Sequence, residues 1–226
     1  MTLIIGIKAK NGFAIAADKY STSQNGVGTV TFTNKIITFD TLKGKLSIGC
    51  AGYAHIDGFL YSIDYSEFDN IHDLIPAIKN GLASQNILPP FGDFIKGDMN
   101  IPADALFEKY NELFAAITGL AEGIIYFDND LYNISTLGIS FFSPYETCGS
   151  GGESALVLLY EHSPDGTIDE EDTRELITKV YSVVNKAQPS ISKEFDMVWY
   201  PKGIINDINT IKTKATKKGK CIIREK

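Results

Sequence analysis

The chain has 226 residues, 44% of them hydrophobic and 11% aromatic, enough apolar material for a packed core in one large domain or two small ones. Its formal charge of −7 argues against general affinity for nucleic acid, whose phosphates such a surface repels. No segment approaches the roughly 18 apolar residues of a membrane span and the amino terminus lacks a signal-length apolar run, so neither secretion nor membrane insertion is expected.

Residues 3–9 and 12–17 are short apolar runs around Lys10-Asn11-Gly12. Asn-Gly is the strongest short-range hairpin signal, so the chain is expected to open as a β-hairpin. Further strands are predicted at Val27–Phe32, Lys35–Phe39 and Leu46–Ala51, punctuated by Gly44 and Gly52. The hydrophobic period then lengthens from Ile56 to Asn86. It predicts a helix over Asp73–Ser84, with Pro76 tolerated in the first turn. The Pro- and Gly-bearing stretch Pro89–Pro102 reads as a loop, and Ala103–Glu112 as a second helical piece.

Short strands follow at Leu113–Leu120, Gly123–Phe127, Leu131–Ser135 and Ile139–Phe142, with turns at Glu122-Gly123 and Asp128-Asn129-Asp130. A helix over Glu153–His162 is broken by Ser163-Pro164-Asp165-Gly166. A second helix over Asp169–Ala187 carries Asp169, Glu170, Glu171 and Asp172 at the positive end of its dipole. The last predicted strand is Phe195–Tyr200, ending at Pro201. Without repeats or a linker, and with strands on both sides of a helical block, one α+β domain over residues 1–226 is the economical architecture. From Asn209 onward seven basic residues face one acid, Glu225. This basic tail either docks on an acidic surface or is a solvated terminus.

Cysteine is sparse, at Cys50, Cys148 and Cys221, with no CxxC pair. That usage suggests neither a disulfide framework nor a structural zinc site and fits a reducing cytoplasm. His55, His72 and His162 are dispersed without metal-ligand spacing, and HExxH, GxSxG and Walker patterns are missing, so no metal or cofactor is expected. Cys148-Gly149-Ser150-Gly151-Gly152 before a helix could cradle an anion, but such turns are common for steric reasons alone.

The most informative position is Thr2 in the opening Met1-Thr2-Leu3-Ile4-Ile5-Gly6-Ile7-Lys8. Taken alone it is simply the second residue of a chain. If Met1 is trimmed, however, Thr2 carries both a hydroxyl nucleophile and an adjacent α-amine, whose reference pKa of about 7.7–8.0 suits it to accept the hydroxyl proton.

Read in order, Thr2…Gly6-Ile7, Gly12-Phe13-Ala14-Ile15-Ala16-Ala17-Asp18-Lys19, Asn34-Lys35-Ile36-Ile37, Ala51-Gly52-Tyr53-Ala54 and the late Gly149-Ser150-Gly151 form a constellation. It resembles the proteasome β-subunit family of N-terminal-nucleophile hydrolases across nearly the whole chain. The resemblance implies a four-layer αββα sandwich, homo-oligomeric rings or stacks, a peptide or protein substrate, an ATPase or regulatory partner, and no cofactor or metal. It places Thr2 on the nucleophile, Asp18 and Lys35 on the paired carboxylate and lysine, and Gly52 on the oxyanion-binding amide. Ser150 falls on the serine near the free amine. Where the family has an aspartate followed three residues later by a serine, this chain has Gln188-Pro189-Ser190-Ile191-Ser192, so Gln188 replaces the aspartate and Ser192 or Ser190 stands for the serine.

The expected activity is hydrolysis of peptide or amide bonds through an acyl-enzyme on Thr2, exposed by Met1 removal. A transpeptidase or protein ligase using the same acyl-enzyme is the second expectation. The third is a non-catalytic assembly subunit of a proteasome-like complex, which Gln188 and a retained Met1 would favour.

Overall fold

The computed structural model describes residues 2–21, 31–32, 34–52, 60–96, 101–118 and 120–202. Met1, residues 27–30 of one predicted strand, the Tyr53-Ala54 pair, His55, Cys221 and the basic tail lie outside the described residues.

Strands β1 (Ile4–Lys8) and β2 (Gly12–Asp18) form the expected hairpin, flanked by β10 (Tyr145–Cys148) and β11 (Phe195–Pro201) in an antiparallel sheet of order β10-β1-β2-β11. A second antiparallel sheet orders β5 (Ile36–Thr41), β6 (Gly44–Gly52), β7 (Leu120–Phe127), β8 (Asp130–Ser135) and β9 (Gly138–Phe141). The two-residue strands β3 (Tyr20–Ser21) and β4 (Thr31–Phe32) pair apart from both. Helices α1 (Leu74–Ser84), α2 (Phe91–Lys96) and α3 (Ala103–Thr118) precede β7, while α4 (Gly152–His162) and α5 (Glu170–Ala187) precede β11.

Apolar burial collects at three levels. Ile4, Ile15 and Ala17 meet Ile124, Tyr126 and Leu131 between the two sheets. The other face of the first sheet, through Leu3, Ile5, Ala14 and Ala16, packs on Leu159 of α4 and Ile177, Val180, Tyr181 and Val184 of α5. The second sheet covers Ile78 and Leu82 of α1 and Tyr110 and Phe114 of α3 with Ile48, Ile125 and Ile134. Burial on both faces explains why β2 is buried at every position and reads as a continuous apolar run.

Several expectations are corrected, each for a physical reason. Lys8 pairs with Phe13 and Ala9 N–H donates to the Gly12 carbonyl at 3.0 Å, so the hairpin turns on Lys10 and Asn11 rather than on Asn11-Gly12. Gly12 is instead a packing glycine: a Cβ there would lie 2.2 Å from the Trp199 ring. The turn with both central residues at positive φ is Asp128-Asn129, at 46° and 61°, between Phe127 and Asp130.

The loop expected over Pro89–Pro102 contains α2, whose Phe91 and Phe94 rings sit 5.1 and 5.2 Å from Tyr110. The strand expected at Leu113–Leu120 is the end of α3 up to Thr118. Phe114 there continues the buried stripe of Tyr110, one helical turn on, and a short apolar run cannot by itself be assigned to helix or strand. The turn expected at Glu122-Gly123 lies inside β7, where a Cβ on Gly123 would be 2.6 Å from the Gly49 carbonyl oxygen. Gly123 thus serves close strand approach. Strand β10 was not anticipated, because its four residues, Tyr145-Glu146-Thr147-Cys148, carry no clear alternation.

Candidate active site

The hairpin register brings the start of β1 against the end of β2. Ile4 faces Ala17, and one step further Asp18 N–H donates to the Leu3 carbonyl at 3.1 Å while Leu3 N–H donates to Asp18 Oδ1 at 2.9 Å. Asp18 is fully buried. Its carboxylate also accepts from Tyr20 N–H at 3.1 Å, Ser192 N–H at 3.4 Å and Lys35 Nζ at 2.6 Å. A buried carboxylate without such donors would be strongly disfavoured, and these satisfy it.

Lys35 immediately precedes β5, whose first residue Ile36 pairs with Gly49 of β6. Its Nζ donates to Thr2 Oγ1 at 3.3 Å, so a single ammonium bridges Asp18 and the threonine hydroxyl. Burial pushes the Lys35 pKa below the ordinary lysine value, against the opposing hydrogen bond and charge of Asp18.

The remaining sequence-predicted residues surround this trio to different degrees. Gly52 ends β6, where the register with β7 shifts between Ala51 and Gly52 and Gly52 pairs with Leu120. Ser150 is exposed and makes no hydrogen bond to Thr2 among the described residues. Its neighbour Gly149, at φ +89°, lies directly on the threonine: a Cβ there would be 2.2 Å from the Thr2 carbonyl oxygen. Ser192 is buried and serves Asp18 through its N–H, while its Oγ accepts from Glu194 N–H at 2.9 Å. Gln188 caps α5, its N–H donating to the Val184 carbonyl at 2.7 Å, and its buried Oε1 has no donor among the described residues.

Two neighbours of the site escaped the sequence reading. Tyr181, fully buried on α5 and stacked on Phe195, donates from its hydroxyl to the Leu3 carbonyl at 2.9 Å. Its place in the apolar stripe Ile177, Val180, Tyr181, Val184 hid a polar duty. Glu122 accepts from Gly149 N–H. Once Leu120–Phe127 is one strand, period-two alternation puts Glu122 on the face of Ile124 and Tyr126, which is the signal that could have found it.

Two substitutions test this scaffold. Gly149→Ala meets both a positive φ and the Thr2 main chain, so a stability loss of several kcal/mol, about 1–3 from strain and a similar amount from overpacking, is expected in chemical denaturation. Tyr181→Phe leaves the Leu3 carbonyl with Asp18 N–H alone and is expected to lower stability by about 1–2 kcal/mol in the same measurement.

Cys148 is buried, and burial raises its thiol pKa, so it stays protonated at neutral pH. Among the described residues no group of three or more His, Cys, Asp or Glu side chains could hold a metal ion. No described helix is long and apolar enough to cross a membrane.

No family model and no curated protein matches the sequence. Solved structures do match the fold. Anbu, the ancestral beta-subunit from Yersinia bercovieri, superposes with a TM-score of 0.54 at 11% identity, covering 99% of both chains. The chain has a proteasome-like fold. HslV from Trypanosoma brucei gives a TM-score of 0.52 at 12% identity over 87% of this chain and 98% of its own. Thiobacillus denitrificans BPH gives 0.56 at 16% identity over 89% and 99%. At such identities the proteasome-like fold is shared while the chemistry must be argued from the residues.

Proposed function

We propose that this proteasome-like chain is a threonine-nucleophile hydrolase of peptide or amide bonds, and that its sheets and helices form the four-layer αββα sandwich. The observation that carries the reading is the 3.3 Å contact of Lys35 Nζ with Thr2 Oγ1, backed by the 2.6 Å contact of the same nitrogen with buried Asp18. After Met1 removal, Thr2 Oγ attacks the substrate carbonyl carbon and its proton passes to the freed α-amine, directly or through water. The Lys35 ammonium favours the developing alkoxide, and Gly52 N–H stabilises the oxyanion. Collapse of the tetrahedral intermediate breaks the C–N bond and the leaving amine takes the proton. Water then attacks the acyl ester and regenerates Thr2.

Assembly of copies into rings or stacks, with an ATPase or regulatory partner delivering protein substrates in the cytoplasm, completes the proposal.

The deciding experiment is intact-mass analysis of the protein from its native host, before and after treatment with a threonine-directed electrophile. Loss of Met1 and a single adduct on Thr2 are expected. A retained Met1 and no adduct would instead make the chain a non-catalytic assembly subunit. Incubation with a peptide and a competing amine then separates hydrolysis from transpeptidation, since ligated product without hydrolysis would reassign the second half-reaction.

The pH profile follows from the two nitrogens. The acylation rate is expected to rise as the α-amine loses its proton, through about pH 7.7–8.0, because the base must be neutral. It then falls as Lys35 deprotonates, at a pH below the ordinary lysine value of 10.5 because burial lowers its pKa. Stability responds in the opposite sense. A lysine whose folded pKa lies below its unfolded one destabilises the fold while protonated, and that penalty is relieved as pH climbs from the lowered value toward 10.5.

A further inference from the structure

Gly149 leaves β10 just after Cys148 pairs with Ile4, the first residue of β1, so its N–H has run out of sheet partners. The acceptor comes from the other sheet: Glu122 on β7 reaches across and takes the Gly149 N–H. On its own sheet Glu122 stands opposite Ala51, next to the register shift that precedes Gly52. One side chain therefore joins the strand end that carries Gly52 to the loop that lies on the Thr2 carbonyl. The same loop turns directly into α4, with Gly152 N–H donating to the Gly149 carbonyl at 2.9 Å, so a carboxylate here also sits favourably near a helix N-terminus.

We propose that Glu122 is a positioning residue that clamps the Gly149-Ser150 loop against Thr2 and thereby sets the gap between the nucleophile and the Gly52 amide. This rests on the threonine-hydrolase reading. Gly152 N–H holds the Gly149 carbonyl, and the clamp holds the other side of the same residue, its N–H, at a positive-φ position that has no side chain of its own to anchor it. Displacements of about 1 Å between reacting groups lower rates by about 100-fold.

The test uses the full chain with Met1 removed. Acylation of Thr2 by the electrophile is followed by intact mass, turnover by a peptide-amide reporter, and protection of the Gly149 amide by hydrogen exchange. Glu122→Ala is expected to slow acylation by about 10- to 100-fold, mainly in kcat rather than KM, and to raise exchange at residues 149–152. Glu122→Gln keeps a carbonyl acceptor and is expected to recover most of the rate and the protection, which a charge-dependent role would not give, while Glu122→Met fills similar space without an acceptor and is expected to stay as slow as Glu122→Ala, which a space-filling role would not give. Wild-type acylation with an unimpaired Glu122→Ala, or a Glu122→Gln as slow as Glu122→Ala, overturns the inference and leaves the hydrolase reading standing. An unreactive wild-type Thr2 removes that reading and the catalytic role of the clamp together, and unchanged exchange in Glu122→Ala removes the clamp itself.

Discussion

Thr2→Ala is expected to lower acyl-enzyme formation by about three orders of magnitude or more, because it deletes the attacking atom while leaving the surrounding machinery in place. The reason for confining the loss to chemistry lies in the hydrogen bonds. Lys35 keeps its 2.6 Å contact with Asp18, and Asp18 keeps Leu3, Tyr20 and Ser192 N–H, none of which involves the threonine hydroxyl. Stability should therefore change by only about 0.5 kcal/mol, the range for a substitution that disturbs no core packing. Thr2→Ser restores a hydroxyl at the same place and is expected to recover most of the acylation. Adduct mass, reporter turnover and chemical denaturation of the three proteins check the set. An adduct that persists in Thr2→Ala would move the nucleophile elsewhere, and peptide mapping of the labelled residue would find it.

The sequence groups Thr2, Asp18 and Lys35 only through the order of motifs that resembles the proteasome β-subunit family. The hairpin register accounts only for Asp18 beside Leu3, because two strands joined by a two-residue turn must bring the start of one beside the end of the other, whereas Lys35 arrives from the start of β5 and meets Asp18 and Thr2 through tertiary packing. The reading failed where long-range packing decided. The Asn11-Gly12 pair reads as a turn signal, yet the missing side chain of Gly12 answers Trp199, a residue on a distant strand. Glu122-Gly123 likewise reads as a turn, although Gly123 answers the Gly49 carbonyl and Glu122 accepts from Gly149 just beyond β10. Ser150, which the resemblance places near the freed amine, is exposed, and the neighbouring Gly149 makes the approach to the Thr2 carbonyl.

The second large effect is expected at Asp18, and it separates structural from chemical roles within one ion pair. Asp18→Ala strips the acceptor from three backbone N–H groups and leaves the ammonium of Lys35, 11% exposed, without its counter-charge. A loss of about 3–5 kcal/mol is the expected penalty for uncovering one member of a buried pair. Lys35→Met keeps side-chain length and removes the charge, while Asp18 retains its backbone donors. Its stability loss should be the smaller of the two, yet acylation should fall by about 10²–10⁴-fold because the group beside Thr2 Oγ1 is gone. The double variant removes the stranded ammonium along with the carboxylate. Its stability loss should therefore fall short of the sum of the single losses by about 0.5–3 kcal/mol, the coupling of contacting partners in a double-mutant cycle. Chemical denaturation of the four proteins at neutral pH measures that coupling. Strict additivity would mean that Lys35 is held near Thr2 by its surroundings rather than by Asp18, and the orienting role of the carboxylate would have to be given up.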